Sequence, residues 1–381
     1  MTTTEVSEKP ATGPPASPTG GEANRTTPLQ ALIAFGVLVG VIAFTVLSFS
    51  TLKDPESSKV VRVALAMLIG GVGVWLAYWA VDQIITALPT KSAVRIRPLL
   101  FVGPALALLT FYLVYPALNT IFISFRDRDG EEWVGLDNYE TILTESRYQI
   151  AIRNSLAWVI LVPLVALIVG LAVAVLADKL NKRTESTMKS LIFLPMAISM
   201  VAASVVWTFV YSFRAEGFGK QIGLLNAIWT NLGGDPVNWL AQKPYNNLYL
   251  MVILIWLQTG YSMVILSSAI KGVPEELIEA ARIDGATEWQ IFRRIVIPSI
   301  MSTIIVVWTT VVITVWKTFD IVWVNTGGLN DTQVIAQQMV TEFFTNLNDG
   351  VGASLAVLLF IAVIPVLVIN NRRFQAEEAM R

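Results

Sequence analysis

Cysteine and histidine are both absent from the 381 residues. Without cysteine there are no disulfides, thiolate nucleophiles or Cys-based metal sites. Without histidine the commonest general base, the His-based triads and most zinc sites are excluded as well. Charge is scarce: Asp, Glu, Lys and Arg make up 14% of the chain, where a soluble domain carries about 25%. The 27 basic and 28 acidic side chains nearly cancel, leaving a net charge of -1. That balance excludes nucleic-acid binding by bulk charge.

What fills the chain instead is apolar. Hydrophobic residues make up 54% and the mean hydropathy is +0.62. Uncharged stretches run over 26–52, 63–81, 98–125, 154–177, 190–213, 244–270, 295–316 and 350–371. A membrane-crossing helix needs about 20 mostly apolar residues. A helix of a soluble protein carries a polar face, and these stretches do not. Backbone polar groups in lipid must be satisfied within the segment, so helices are expected. The fold class expected is therefore an all-α integral membrane protein with eight transmembrane helices. Residues 1–28 are different material: Pro10, Pro14, Pro15, Pro18 and Pro28 lie among Thr, Ser and Gly. Such a stretch reads as a disordered tail. It is not read as a signal peptide, because no basic segment abuts a short apolar core.

The loops set an orientation. With the N-terminus in the cytoplasm and the sides alternating, 16 basic residues fall inside and 11 outside, as the positive-inside rule favours. Both termini are then cytoplasmic, in a multi-pass protein of the cytoplasmic (inner) membrane. Residues 126–153, 214–243 and 317–349 form the long outside loops. Trp75, Trp79, Trp133, Trp158, Trp207, Trp229, Trp239 and Trp256 cluster near span ends or in outside loops, as interface belts do.

The inside loop 271–298 carries the strongest signal. Pro274 suits the first position of a helix; Glu275 and Glu276 suit its positive end and Arg282 its negative end. Asp284-Gly285 ends that helix, with Gly285 in the left-handed position past its C-terminus. Thr287 and Gln290 have capping-box spacing and start a second helix, which places Trp289, Phe292 and Val296 on one face and runs to Pro298. Helix, glycine corner, helix on the cytoplasmic face is a docking knob for another protein.

The residues Glu279-Ala280-Ala281, then Gly285, then Ile295-x-Ile297-Pro298 resemble the EAA signature of permease subunits of ABC-type importers. The fuller run through Asp284-Gly285-Ala286 resembles the sugar branch of the maltose-permease type. Val134-Gly135-Leu136-Asp137-Asn138-Tyr139, Leu194-Pro195-Met196-Ala197-Ile198-Ser199, and Phe319-Asp320 followed by Thr326-Gly327-Gly328 and Thr332 resemble further elements of that branch, in order. The resemblance covers roughly 95–381. It implies a six-helix type I importer permease core there, with 29–88 forming two accessory transmembrane helices; the long outside domain of some such subunits is absent. It also implies a division of labour. This chain would be one of two permease subunits above two ATP-binding cassette subunits, with an extracytoplasmic solute-binding protein delivering a sugar. Glu279, Ala280, Ala281, Asp284, Gly285 and Ala286 would couple to the ATPase. No cofactor would bind this chain directly; ATP and Mg would be used by the partner subunits. In agreement, no phosphate-binding loop occurs: Gly219-Lys220 is followed by Gln221 and lacks the upstream glycine. The chain is thus expected to be a transport subunit and not an enzyme, with sugar, membrane lipid and those subunits as partners and no nucleic acid.

Two rival classes are weaker. An ion-coupled secondary transporter keeps ionisable relays inside its spans, and the eight windows hold no charge. A membrane enzyme would need carboxylates, serine–lysine or metal, and the acids lie in loops without metal-like spacing. Candidate solute contacts are the polar faces within spans. Gln258, Tyr261 and Ser262 lie at i, i+3 and i+4, and Thr310, Thr314 and Thr318 at i, i+4 and i+8, so each set shares a helix face. Uncharged hydrogen-bonding groups beside aromatic rings suit a sugar; the bland alternative is bonding between helices. Lys317 and Asp320, three apart near the outside end, are expected to form an ion pair. An oligosaccharide, a disaccharide such as an α-glucoside, a polyol and a glycerol-phosphate all fit, the lack of intramembrane Lys and Arg disfavouring a phosphorylated solute.

Overall fold

The computed structural model describes residues 27–54, 57–88, 90–215 and 217–378. The tail reading for 1–26, and the placement of the chain's two ends, lie outside the described residues. The described residues are helical, with no strand beyond one isolated bridge between Arg126 and Trp133. The chain divides into two compact units at Pro116–Ala117.

The first unit opens with α1, Pro28–Lys53. Pro28, assigned by residue type to the tail, instead occupies the first helical position, where its missing N–H costs nothing. Thr27 and Gln30 close a capping box around that start. The next span, Lys59–Thr86, is built from α2 (Lys59–Met67), a π-helical turn over Leu68–Gly73 and α3 (Val74–Thr86). α1 packs along α3. α4, Thr90–Leu109, is tied back to α3 where Arg97 Nε donates to Asp82 at 2.9 Å and Arg97 Nη2 to the Thr86 hydroxyl at 3.1 Å. A π-turn over Thr110–Val114 leads into α5, Tyr115–Ile123.

In the second unit, α6 (Asp137–Thr144) is followed by α7 (Ser146–Asp178), 33 residues long. The buried residues of α7 recur every three or four positions, and towards its C-terminal half they are small: Ala166, Gly170, Ala174 and Ala177. That face meets α11, Asn246–Lys271. Small residues let two backbones approach where lipid offers no hydrophobic drive for helix association. The approach is close enough that a β-carbon on Gly170 would lie 2.6 Å from the Ser262 β-carbon.

Between α7 and α11 the chain forms α8 (Lys182–Phe193), a 3-10 turn over Leu194–Ala197, α9 (Met200–Val210) and the short helix α10 (Leu224–Asn231). After α11 come α12 (Glu275–Ile283), α13 (Glu288–Ile291), a π-turn over Phe292–Val296, α14 (Ile297–Ser299) and α15 (Met301–Trp316). α16 (Asp320–Thr326), α17 (Ile335–Phe344) and α18 (Asp349–Glu378) complete the unit. Its core is Trp158, Val162, Leu250, Leu254, Leu257, Met263, Val307 and Val311, contributed by α7, α11 and α15. A smaller cluster around Tyr148, Ile335 and Leu355 joins α17 and α18 to α7.

Six described helices are long and apolar enough to cross a membrane, and two bent pairs bring the number to eight. The eight uncharged stretches are therefore found as helical segments, but two are not straight. The fifth breaks by 103° between Ala197 and Met200, and the seventh by 68° at Ile300. Ser199 makes the first break: its hydroxyl accepts from the Ala202 amide and caps α9 in mid-stretch. An uncharged run reports composition and says nothing of direction, so both bends are invisible to the hydropathy pattern.

The connecting loops are held by polar side chains. Asn138 donates through Nδ2 to the Ser124 and Arg126 carbonyls, at 3.0 and 2.6 Å, and Ser354 Oγ donates to the same Ser124 carbonyl. The loop after α16, which turns through left-handed Gly327, Gly328, Asn330 and Asp331, is gripped from α7 and α11. Asn154 donates to the carbonyls of Asp331 (2.8 Å) and Gln333 (2.9 Å), Asn246 to that of Asn330 (2.6 Å), and Lys243 pairs with the Asp331 carboxylate (2.5 Å).

Candidate functional site

The loop 271–298 folds as its residues dictate. Pro274 lies one position earlier than the sequence suggests, at the cap of α12, with Glu275 first in the helix. Gly285 has φ +78°. Around it the Gly285 amide donates to the Arg282 carbonyl (3.1 Å) and the Ala286 amide to that of Ala281 (3.0 Å), the paired bonds of a Schellman stop. Thr287 and Gln290 form the capping box that starts α13. One element was missed. Arg282 does more than face the helix dipole: its Nε donates to Glu288 at 2.9 Å, so the two arms of the corner are clamped across it. The Glu288 carboxylate holds the Arg282 guanidinium pKa above its ordinary value. The six-residue separation spans a turn, which is why no single-helix periodicity revealed the pair.

The outward side of this knob is bare. Glu279, Ala280, Asp284 and Gly285 are exposed, and Ala281 and Ala286 half-buried. Ile283 is 86% exposed and Leu277 50%. Apolar side chains left out to this degree mark a contact surface. The inward side is anchored by buried Val273, Ile291 and Val296. Trp289, Phe292 and Val296 share the side of the second arm that faces α7, as their spacing predicts, with exposure falling from Trp289 to Val296.

A second anchor was not foreseen. Glu185 of α8, 8% exposed, accepts from Lys189 on its own helix and from Lys271 at the end of α11, at 2.5 Å. Lys189 also donates to Ser267, and Lys271 lies 3.7 Å from Asp178 of α7. This network binds the ends of three helices together four residues before the knob begins. α8 then runs from it to the 103° break. In the last turn of α8, ahead of the break, Gly260 of α11 permits close contact: a β-carbon on it would lie 2.6 Å from the Ile192 carbonyl oxygen.

Flanking Gly260 are Gln258 and Tyr261, both half-buried and without a hydrogen-bond partner among the described residues. Ser262 parts from them: it is fully buried against Gly170 of α7 and its hydroxyl is unpaired. In α15, Thr310 is exposed and Thr314 half-buried, while Thr318 just beyond its end is buried. Their hydroxyls donate to the carbonyls of Val306, Thr310 and Thr314. Lys317 and Asp320 form no ion pair. α15 ends at Trp316 and α16 begins at Asp320, so the two residues never share a helix face. Among the described residues no cluster of acidic side chains has the arrangement of a metal site.

The described residues thus form a multi-span helical bundle with two bent spans and a clamped helix–glycine–helix corner. Residues 166–373 match the family of binding-protein-dependent transport system inner membrane components, and the chain belongs to that family. It is 52% identical over 282 residues to an osmoprotective compounds uptake permease protein of Synechocystis, covering 74% of this chain and 100% of the relative. It is 44% identical over 329 residues to an α-glucoside transport system permease protein of Rhizobium meliloti, covering 82% and 97%. Among solved structures, a bacterial ABC transporter for the acidic polysaccharide alginate superposes with a TM-score of 0.64 at 20% identity, over 74% of this chain and 97% of that one; at that identity the likeness speaks for the fold. The chain is a transport subunit of the ABC permease type and not an enzyme.

Proposed function

We propose that this chain carries a neutral sugar of the α-glucoside class inward across the cytoplasmic membrane. In this reading it pairs with a second permease subunit above two ATP-binding cassette subunits, which use ATP and Mg, and it receives solute from an extracytoplasmic binding protein. The observation that carries the proposal is the pair Gln258 and Tyr261. They offer uncharged donors and acceptors on either side of Gly260, where α11 packs on the last turn of α8, the helix that carries the Glu185 ion network. Both termini and residues 271–298 face the cytoplasm, residues 29–88 are accessory, and 95–381 form the transport core. Glu279, Ala280, Ala281, Asp284, Gly285 and Ala286 present the ATPase contact, and Thr310 and Thr314 line the path on the facing span. Support comes from the 44% identical α-glucoside permease and from a second alginate-transporter structure, solved with an oligosaccharide-loaded periplasmic protein. A second reading, a small polyol-like protective solute, is favoured by the 52% identical osmoprotectant permease.

The test is a solute panel against ATPase activity and uptake of the complete complex in proteoliposomes. α-Glucosides are expected to stimulate both. Gln258→Ala and Tyr261→Ala should each lower uptake at limiting solute by about threefold to tenfold, the loss of one hydrogen bond to a neutral solute, with basal hydrolysis unchanged. Stimulation by small polyols and not by glucosides would select the second reading.

A further inference from the structure

We propose that an anionic membrane phospholipid binds in the cavity behind the cytoplasmic knob, with an acyl chain inside and its phosphate on Lys179. The cavity has a volume of about 700 Å³ and lies between the cytoplasmic half of α7, the end of α11 and the inner side of α12 and α13. Its wall is polarised. Along α7 it is lined by Ile168, Leu171, Ala172 and Val175, and then abruptly by Asp178 and Lys179. Eleven residues at the helical rise put these ends roughly 16 Å apart. The lower half therefore lies in a charge-free part of the span and the mouth at its water-facing end. An apolar barrel with charge only at one end fits an amphiphile that enters from the bilayer.

The sign of the charge at the mouth selects the headgroup. Four charged residues line it, and three are already engaged: Arg282 with Glu288, and Asp178 with Lys271. Lys179 is exposed and acts on Glu288 only through space, with no salt bridge of its own among the described residues, so its ammonium is the one lining charge not held in a pair. Arg293 and Arg294, on the segment that closes the cavity, and Lys182 and Arg183, just past the mouth, are exposed and unpaired as well. A basic pocket between spans on the cytoplasmic side suits an anionic lipid headgroup. Because Ile278 and Arg282 of the knob's first arm and Trp289 and Phe292 of the second all face the cavity, a lipid seated there would brace the corner from the side opposite its exposed surface.

The experiment uses the complete complex in nanodiscs containing phosphatidylglycerol with a photoreactive acyl chain, followed by peptide mapping of the adducts. Adducts are expected on 168–176 and 291–296. Lys179→Gln should reduce them by about fivefold, the worth of one basic residue facing anionic lipid. Ala172→Trp, which fills the barrel, should abolish them. A zwitterionic phosphatidylcholine probe should label the site weakly in the parent and equally weakly in Lys179→Gln. Adducts spread evenly over the lipid-facing spans, unchanged labelling in Lys179→Gln, or crosslinks showing a partner polypeptide in the cavity would each overturn the proposal. The readout is lipid capture, so it stands apart from whether the transported solute is a sugar.

Discussion

Glycine at two positions does what no other residue can, for two different reasons. Gly285 is needed for its backbone: φ is +78° and open space surrounds it, so a side chain there would be strained but not crowded. Gly260 is needed for its missing side chain, since the Ile192 carbonyl and the Phe193 α-carbon occupy the place of a β-carbon. Gly260→Val must push apart backbone on both sides. Overpacking of this kind costs about 1–3 kcal/mol, and backbone cannot rotate away as a side chain can. We expect Gly260→Val to lower the thermal stability of the purified complex and its yield from the membrane. A melting temperature equal to the parent's would mean that α8 and α11 do not meet as closely as the structure shows.

The element that matters most is the knob from Pro274 to Pro298. Its corner is fixed by the Schellman bonds, the capping box and the Arg282–Glu288 pair, so α12 and α13 keep a defined angle to each other. Glu279, exposed in this chain, would be desolvated against a basic group of the ATPase. Breaking one side of such a buried pair costs about 3–5 kcal/mol. Glu279→Ala should leave the subunit in the membrane yet lower solute-stimulated hydrolysis and uptake together. Gly285→Pro should abolish co-purification of the ATPase, because proline cannot take positive φ and removes the amide that bonds to Arg282. If both variants hydrolyse ATP and transport solute like the parent, the knob is not the coupling element.

For the whole molecule the decisive quantity is sidedness. Sixteen basic residues against eleven is a moderate bias, and Arg126, Arg128 and Arg147 fall on the side assigned to the outside. The structure shows how these are accommodated. Arg128 bonds the carbonyls of Asn346 and Leu347, and Arg147 pairs with Glu145 and the buried Glu342, so they serve loop structure. The chain contains no cysteine, which makes it a clean background for labelling. A cysteine at Asp129 or Asp235 should react with an impermeant maleimide in intact cells, and one at Glu288 only after the membrane is opened. Labelling of the Glu288 position from outside would invert the topology and remove the knob from any ATPase.

The membrane class, the positions of the eight helical stretches and the design of the knob were all legible in the sequence. Each rests on local physics: the absence of charge over a span's length, and caps, a left-handed glycine and a capping box acting within a few residues of themselves. What only the tertiary structure decided depends on residues far apart in the chain. Gln258 and Ser262 are one helical turn apart, yet one is half-buried and the other is sealed against Gly170. The periodicity that put them on one face says nothing of which neighbour that face meets. The 103° turn between Ala197 and Met200 lies inside an uncharged stretch that gave no sign of it, and the close approach of α8 to α11 ahead of that turn depends on Gly260, nearly seventy residues on from Ile192. The Glu185–Lys189–Lys271 network joins charges of α8 to the end of α11, 86 residues apart in the chain. Charge absent from a segment is a property of that segment, whereas a contact between helices belongs to the pair, and only the packed molecule brings the pair together.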